Sequence, residues 1–120
     1  MSISKVGTYA FSNHTRLQKV TIGAPLIEDN AFEGSKILAT VDLTSNAGVY
    51  ISTKAFSNCS SLNKLIIRSS VLSTLANTNA FNNTKIASGD GGIYVPANLL
   101  DSYKTATNWS QFAEHIYSIS

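Results

Sequence analysis

The chain has 120 residues, of which 13% are charged and 43% are hydrophobic, and it contains one cysteine. That length corresponds to one domain, residues 1–120, which is large enough to bury a core. The net charge is only +2, and the nine Lys and Arg residues are scattered with no run of three, which argues against a nucleic-acid-binding stripe. No apolar stretch approaches the length of a transmembrane helix, so membrane insertion is not expected. A single cysteine excludes an intramolecular disulfide and leaves the redox compartment open.

An Ala-Phe dipeptide recurs four times, and its phenylalanines are 21, 24 and 25 residues apart. Self-similarity at a period of 20 to 29 residues is typical of a solenoid, in which each coil packs on its neighbours. We predict repeats at about 1–23, 24–44, 45–70 and 71–96, followed by a C-terminal segment at about 97–120. The dipeptides are Ala10-Phe11, Ala31-Phe32, Ala55-Phe56 and Ala80-Phe81.

Each copy ends in a segment of the form Leu-x-x-Val-x-Ile, in which the last two apolar residues flank a single intervening position. This alternation is the period of a half-buried strand, and stacked copies would form a parallel sheet with the apolar rows inside. We expect the four phenylalanines to form an aromatic ladder in the core, on the return limb of each coil. The segments are Leu17–Ile22, Leu38–Leu43 and Leu62–Ile67, and Ile93–Val95 restores the pattern after an insertion in the fourth copy.

The repeat resembles the BspA-like leucine-rich repeat, whose coils run approximately as Ile, three residues, Ala-Phe, a polar residue, Asn-Cys, two residues, Leu, two residues and Ile-x-Ile. The best match is Ile51–Ile67, with Ala55-Phe56 and Asn58-Cys59 in place. His14 stands at the Cys position of the first copy, and Gly34-Ser35 replaces Asn-Cys in the second. The resemblance implies an α/β solenoid, a right-handed coil with short parallel strands, about four repeats and a helical C-terminal cap.

The resemblance also implies a role. Such repeats occur in bacterial surface proteins and in phage-associated proteins, so it implies a non-catalytic protein- or glycan-recognition module related to adhesion. An extracellular or cell-surface location follows from the resemblance alone. The start of the chain runs into the first repeat without the charged head and apolar run of a secretory signal. We therefore expect that the protein is not exported by the general route, or that the chain is a piece of a longer one.

The N-terminal end carries no amphipathic helix that would cover Phe11 or the first strand. An exposed strand edge is a template for pairing. Three explanations remain open: further coils precede this one, the edge meets its copy in an oligomer, or the edge is tolerated because it is short and carries Lys19. The alternative function is therefore a structural or assembly module, such as a virion or phage-tail component, that associates through this edge.

The residues between the core positions of the strands are expected to face outward on the concave side, the usual binding face of repeat proteins. Ile66 and Tyr94 would be neighbours there, and an aromatic and an aliphatic residue ringed by cations would suit a protein or a glycan. An ordinary solvated sheet face is the alternative. The predicted face comprises Lys19, Thr21, Thr40, Asp42, Lys64, Ile66, Arg68 and Tyr94.

The remaining reactive residues favour no catalytic site. Cys59 occupies a repeat position typical of a buried structural thiol. His14 is interpreted as a polar turn residue, and the acidic residues fall on different coils, so no catalytic arrangement has an obvious assembly point. The glycine-rich insertion at 85–92 leads into a strand rather than a helix and carries one carboxylate, so we interpret it as a flexible turn. We expect no enzymatic activity, no metal and no cofactor.

The last segment shows helical periodicity. Leu99, Leu100, Tyr103 and Ala106 recur at helical spacing after Pro96, and a second apolar set runs from Trp109 to Ile116. We predict two short helices, at about 97–106 and 109–115, that fold over the open end of the solenoid. The second set comprises Trp109, Phe112, Ala113 and Ile116.

Overall fold

The computed structural model describes residues 5–119. Within that range the strands, in chain order, are β1 (Lys19–Ile22), β2 (Leu26–Ile27), β3 (Thr40–Leu43), β4 (Tyr50–Ile51), β5 (Lys64–Ile67), β6 (Thr74–Leu75), β7 (Gly92–Val95) and β8 (Ile116–Ser118). The helical segments are a 3-10 helix at Thr78–Phe81, α1 (Lys85–Ser88), a 3-10 helix at Ala97–Leu99, α2 (Leu100–Thr105) and a 3-10 helix at Trp109–His115.

The main sheet is parallel and has the order β1-β3-β5-β7-β8. Its inward row runs Val20, Val41, Leu65, Ile93 and Ile116, each residue in register with the next. Because strands alternate their side chains between two faces, the same register turns the intervening residues outward. This stack of parallel strands with few short helices is the α/β solenoid that the repeats predict.

A second, three-stranded parallel sheet of β2, β4 and β6 was not predicted as strands. It joins Ile27, Ile51 and Leu75 in register, and Val6 adds an isolated bridge to Ile27. Each of these strands is two residues long. Its residues carry little periodic signal, because alternation needs at least three or four positions to be visible. The two sheets hold each coil to its neighbour at two places.

The aromatic ladder is present, but its first ring is not buried. Neighbouring rings are nearly parallel, with centroid separations of 5.2, 5.2 and 5.9 Å from Phe11 through Phe32 and Phe56 to Phe81. The last three rings are at most 1% exposed, whereas Phe11 is 40% exposed. The placement of Phe11 in the core was therefore wrong, because its ring has a phenylalanine neighbour on one side only among residues 5–119.

The Ala-Phe limbs are also bonded to one another through the backbone. The amides of Phe11, Phe32 and Phe56 each donate to the carbonyl of the Ala in the next coil, at 2.7, 2.8 and 2.9 Å. Asn58, two residues after its Phe, has a positive φ of 61°, and the equivalent residues of the other coils are also left-handed: Asn13, Gly34 and Asn83. Asparagine and glycine visit that region at least cost, which explains their recurrence at this turn.

The C-terminal segment is helical where the two helices were predicted, with a break near Ala106. Phe81 meets Phe112 edge-on at 5.5 Å and Trp109 at 6.5 Å, so these two rings end the ladder. Ile116, however, is not part of a helix. It adopts extended φ and ψ of −102° and 124° and begins β8, where it is 1% exposed beside Ile93. Completing the edge of β7 with a strand satisfies backbone groups that a helix would leave unpaired.

Candidate functional site

The register brings the outward residues of the main sheet into two parallel rows. One row runs Thr21, Asp42, Ile66, Tyr94 and Tyr117 across all five strands. The other row runs Lys19, Thr40, Lys64 and Gly92. Arg68 follows directly after β5 and completes the predicted set. We call this surface the sheet face; it comprises Lys19, Thr21, Thr40, Asp42, Lys64, Ile66, Arg68 and Tyr94.

Two charged members of the sheet face bind each other. Arg68 Nε lies 2.7 Å from Asp42 Oδ1, and Arg68 Nη2 lies 3.1 Å from Asp42 Oδ2. This bidentate hydrogen bond with Asp42 raises the pKa of the Arg68 guanidinium. The pair neutralises both charges at the centre of the sheet face, so Arg68 is not the independent cation that the sequence suggested.

Ile66 faces outward but is largely covered. Its side chain is 9% exposed and does not join the main hydrophobic cluster, since it lies on the other side of the sheet between Asp42 and Tyr94. Ile66 is thus the outward neighbour of Tyr94 that was expected, but it offers little surface to a ligand. The open apolar residue of the row is Tyr117, which is 43% exposed.

Tyr117 was missed because β8 was missed. A signal for it exists in the sequence: β7 and β8 both contain the dipeptide Ile-Tyr, at Ile93-Tyr94 and Ile116-Tyr117. In the structure these dipeptides lie in register. The two tyrosine rings are 5.5 Å apart and tilted by 36°. The ammonium of Lys64 lies 5.3 Å from the centroid of the Tyr94 ring.

The glycine-rich insertion is more ordered than a flexible turn. α1 begins after Thr84, whose hydroxyl accepts from the amide of Ala87 and donates to the carbonyl of Phe81. It ends at Gly89, which has a φ of 91°. Asp90 then accepts from the Ser88 hydroxyl at 3.1 Å. The insertion thus contains a capped helical turn that connects the fourth Ala-Phe limb to β7.

Gly91 and Gly92 are required for their close approaches. A Cβ on Gly91 would lie 2.5 Å from the carbonyl oxygen of Asn63, and a Cβ on Gly92 would lie 2.8 Å from the Tyr117 ring. Where the preceding coils carry Lys19, Thr40 and Lys64, the fourth coil has no side chain. The rings of Tyr94 and Tyr117 lean over the space that Gly92 leaves.

The Cys59 thiol and the His14 imidazole have structural partners. Cys59 is fully buried, its Sγ donates to the carbonyl of Phe32 at 3.0 Å, and burial raises its pKa to about 12. Such a thiol is a weak nucleophile. His14 Nδ1 accepts from the amides of Arg16 and Leu17, which confirms it as a polar turn residue.

Neither metal-binding nor membrane-spanning elements were found in the described part. Residues 5–119 contain no group of three or more His, Cys, Asp or Glu side chains placed to hold a metal ion. No helix among the same residues has both the length and the hydropathy to cross a bilayer.

A second surface is the outer edge of the main sheet. β1 is the outermost strand at the N-terminal end of the order, and its exposed members are Lys19 and Thr21. Phe11, 40% exposed, and Tyr9, 58% exposed, lie at the same end of the stack of coils. This surface combines a strand edge with a partly open aromatic ring.

Comparison with known proteins supports the repeat interpretation. A family model described as "BspA type Leucine rich repeat region (6 copies)" matches residues 1–106. No curated protein matches the chain. Leucine-rich repeats are in general non-catalytic modules that bind proteins, and the stacked strands and Ala-Phe ladder supply the rigid base for such binding. On the match over residues 1–106 and this fold, the chain belongs to the BspA-type leucine-rich repeat family.

Proposed function

We propose that the chain is a non-catalytic recognition module that holds a protein or glycan ligand on its sheet face, and that it serves adhesion at a bacterial cell surface. One observation carries the proposal. The outward residues of five strands lie in unbroken register on a base that hydrogen bonds and stacked rings fix from coil to coil. A backbone fixed in this way adds little ordering cost of its own when a ligand binds.

The chemistry of the sheet face suits recognition rather than catalysis. Short hydroxyl side chains at Thr21 and Thr40 offer hydrogen bonds, the Asp42–Arg68 pair is neutral as a unit, and an exposed tyrosine closes one end. Tyrosine gives a large contact area at low entropic cost. Members of this family are typically associated with cell surfaces, and that is the basis for proposing such a location here.

The experiment is a binding panel of immobilised extracellular-matrix proteins and bacterial surface polysaccharides. The test variant carries Thr21→Glu and Thr40→Glu on the sheet face. The matched control carries Thr74→Glu, in β6 of the three-stranded sheet, and Thr53→Glu, which lies just after β4 of that sheet. We expect at least one panel member to bind, and the test variant to lose about tenfold or more in affinity while the control does not. Equal binding by both variants, or no binding by the wild type, would overturn the proposal.

The N-terminal edge supports a second candidate function, a structural or assembly module such as a virion or phage-tail component. Its basis is the outermost position of β1 together with the 40% exposure of Phe11. Sedimentation velocity over a concentration series tests it. If the edge associates, Phe11→Lys shifts the protein to monomer, whereas Tyr50→Lys, at a 47% exposed ring on the three-stranded sheet, does not. A wild-type protein that stays monomeric at all concentrations rules this function out.

A further inference from the structure

The C-terminal end of the sheet face contains a small concavity of about 370 Å³ that extends across the third, fourth and fifth strands of the main sheet. Its lining includes Tyr94, Tyr117, Gly92, Asn63, Lys64 and Asp90, and we call it the tyrosine pocket. The volume lies in the range of pockets that take small ligands. This pocket is absent from the repeat pattern, because it depends on the insertion before β7 and on β8.

Three departures from the repeat build the pocket. The insertion carries Asp90 to the rim, the bare Gly92 makes room for the tyrosine rings, and β8 supplies the second tyrosine. A side chain at residue 92 would enter the space of the Tyr117 ring, at 2.8 Å from its nearest carbon. The two tyrosine rings can occupy these positions only because residue 92 has no side chain. The three residues therefore form one packed unit and are not scattered surface residues.

The pocket combines flat aromatic surface with both kinds of hydrogen-bonding group. The rings of Tyr94 and Tyr117 pack on each other with a 36° tilt, and the Lys64 ammonium lies 5.3 Å from the Tyr94 centroid, so the 43% exposed Tyr117 offers the freer aromatic surface. Asn63 offers a side-chain amide, which is both a donor and an acceptor, Lys64 offers a donor and Asp90 an acceptor. The exposed Asn63 side chain makes no hydrogen bond to another residue of 5–119, so its donor and acceptor remain open to a ligand.

We propose that the tyrosine pocket binds one neutral pyranose ring of an oligosaccharide. A pyranose presents apolar C–H groups on its faces and hydroxyl groups around its edge, which matches aromatic walls with a polar rim. One lysine and one aspartate at the rim offset each other in charge, which favours a neutral sugar over an acidic one. The inference rests on the proposed function, because the pocket is one end of the sheet face.

The neighbouring surface argues against the other ligand that favours aromatic grooves, a proline-rich peptide. Such peptides lie extended across a series of aromatic slots. Beyond Tyr94, however, the row continues with the covered Ile66 and the paired Asp42, and no further aromatic side chain lies in it on the described strands. The surface thus has one pair of aromatic rings, and no series of aromatic slots continues along the row.

The experiment is a two-dimensional 15N NMR titration of the whole chain with cellobiose, maltose and N,N′-diacetylchitobiose. We expect at least one disaccharide to shift the amides of Gly91, Gly92, Tyr94 and Tyr117. Tyr117→Ala should weaken that binding by about tenfold or more. Tyr50→Ala is the matched control, since Tyr50 is 47% exposed on the other sheet and Tyr117 is 43% exposed.

A second variant guards against an effect of truncation alone. Gly92→Ala keeps both tyrosines but forces the Tyr117 ring aside, and it should also weaken binding about tenfold. The inference is overturned if no disaccharide shifts these amides, if Tyr117→Ala and Tyr50→Ala behave alike, or if polyproline shifts them at lower concentration than any sugar.

The outcome is separable from that of the proposed function. The Thr21→Glu and Thr40→Glu variant leaves the tyrosine pocket intact and should bind the disaccharide as the wild type does. If that variant loses its panel ligand while no disaccharide binds the wild type, the sheet face stands as a binding site and the saccharide inference falls. If a disaccharide binds the wild type and the Thr21→Glu and Thr40→Glu variant keeps its affinity for the panel ligand, the tyrosine pocket is supported and the proposed role of the wider sheet face is overturned.

Discussion

The four phenylalanines hold the same place in successive coils but differ in how much water each one meets. Phe56 is fully buried between Phe32 and Phe81, whereas Phe11 keeps 40% of its surface exposed. Hydrophobic stabilisation scales with the area removed from water, so identical residues in identical sequence contexts contribute unequal amounts.

Replacing Phe56 and Phe11 by alanine tests this difference. Phe56→Ala should cost roughly 3–5 kcal/mol of unfolding free energy, because it leaves a cavity in the centre of the ladder. Phe11→Ala should cost about 1–2 kcal/mol, since its exposed part loses little on truncation. Urea denaturation of both variants measures the two costs. Equal costs would mean that the ladder is covered at its N-terminal end or loosely packed at its centre.

Cys59 gives a pH dependence with a definite sign. Burial raises its pKa from about 9 to about 12, so in this interval the unfolded thiol loses its proton while the folded one keeps it. The unfolded state then binds fewer protons, and the free energy of unfolding falls as pH rises above 9, by up to about 1.4 kcal/mol per pH unit. Well below pH 9, where the thiol keeps its proton in both states, this residue contributes no slope.

Urea denaturation of the wild type and Cys59→Ala from pH 8 to pH 10.5 isolates the effect. Other groups titrate equally in both proteins, so the difference between them should shrink above pH 9. Native Cys59 should also resist alkylation at pH 8 and react once the protein is unfolded. Parallel pH profiles, or rapid alkylation of the native protein, would show a thiol that reaches solvent.

At the scale of elements, sequence periodicity predicted the structures that repeat. β1, β3 and β5 lie within the predicted strand segments and β7 begins one residue before its own, because alternation over four residues is visible and recurs. The two-residue strands are too short to alternate. β8 follows β7 at 23 residues, which is within the repeat period, but no Ala-Phe pair precedes it, and its Ile116 also fits a helical pattern that starts at Trp109.

In the sheet face, too, alternation determines which way a side chain points, whereas contacts between coils determine its pairing and burial. The outward direction of its eight residues follows from alternation and was predictable. The pairing of Asp42 with Arg68 and the covering of Ile66 were not, because they depend on diagonal contacts between coils of unequal length. Tyr117 required the position of β8 first.

The fifth strand is itself testable through its two faces. Ile116→Ala should cost about 2–5 kcal/mol, because the side chain is 1% exposed beside Ile93 in the inward row. Tyr117→Ala, on the outward face of the same strand, should cost less, about 1–2 kcal/mol, as for the similarly exposed Phe11. Thermal and urea denaturation measure both. A Tyr117→Ala cost as large as that of Ile116→Ala would place the tyrosine in the core and close the pocket.

At the scale of the whole molecule, each coil is supported by its neighbours and the two ends differ. The ladder ends at Phe81 against Trp109 and Phe112, and the indole N–H donates to the carbonyl of Ser73 at 2.9 Å. At the other end, β1 and Phe11 have a neighbouring coil on one side only within residues 5–119. In repeat proteins, stability is a sum of such neighbour terms.

We therefore expect stability to rise along the chain rather than to be uniform. In native-state hydrogen exchange followed by NMR, amides of β3 that bond to β1 should exchange through local opening, while those of β5 and β7 exchange with the global free energy of unfolding. Phe11→Ala should accelerate exchange in the first coil and leave β7 unchanged, whereas Phe56→Ala should accelerate it everywhere. Uniform protection from β3 to β7 in the wild type would contradict this order, and would show that the four coils unfold as one cooperative unit from end to end.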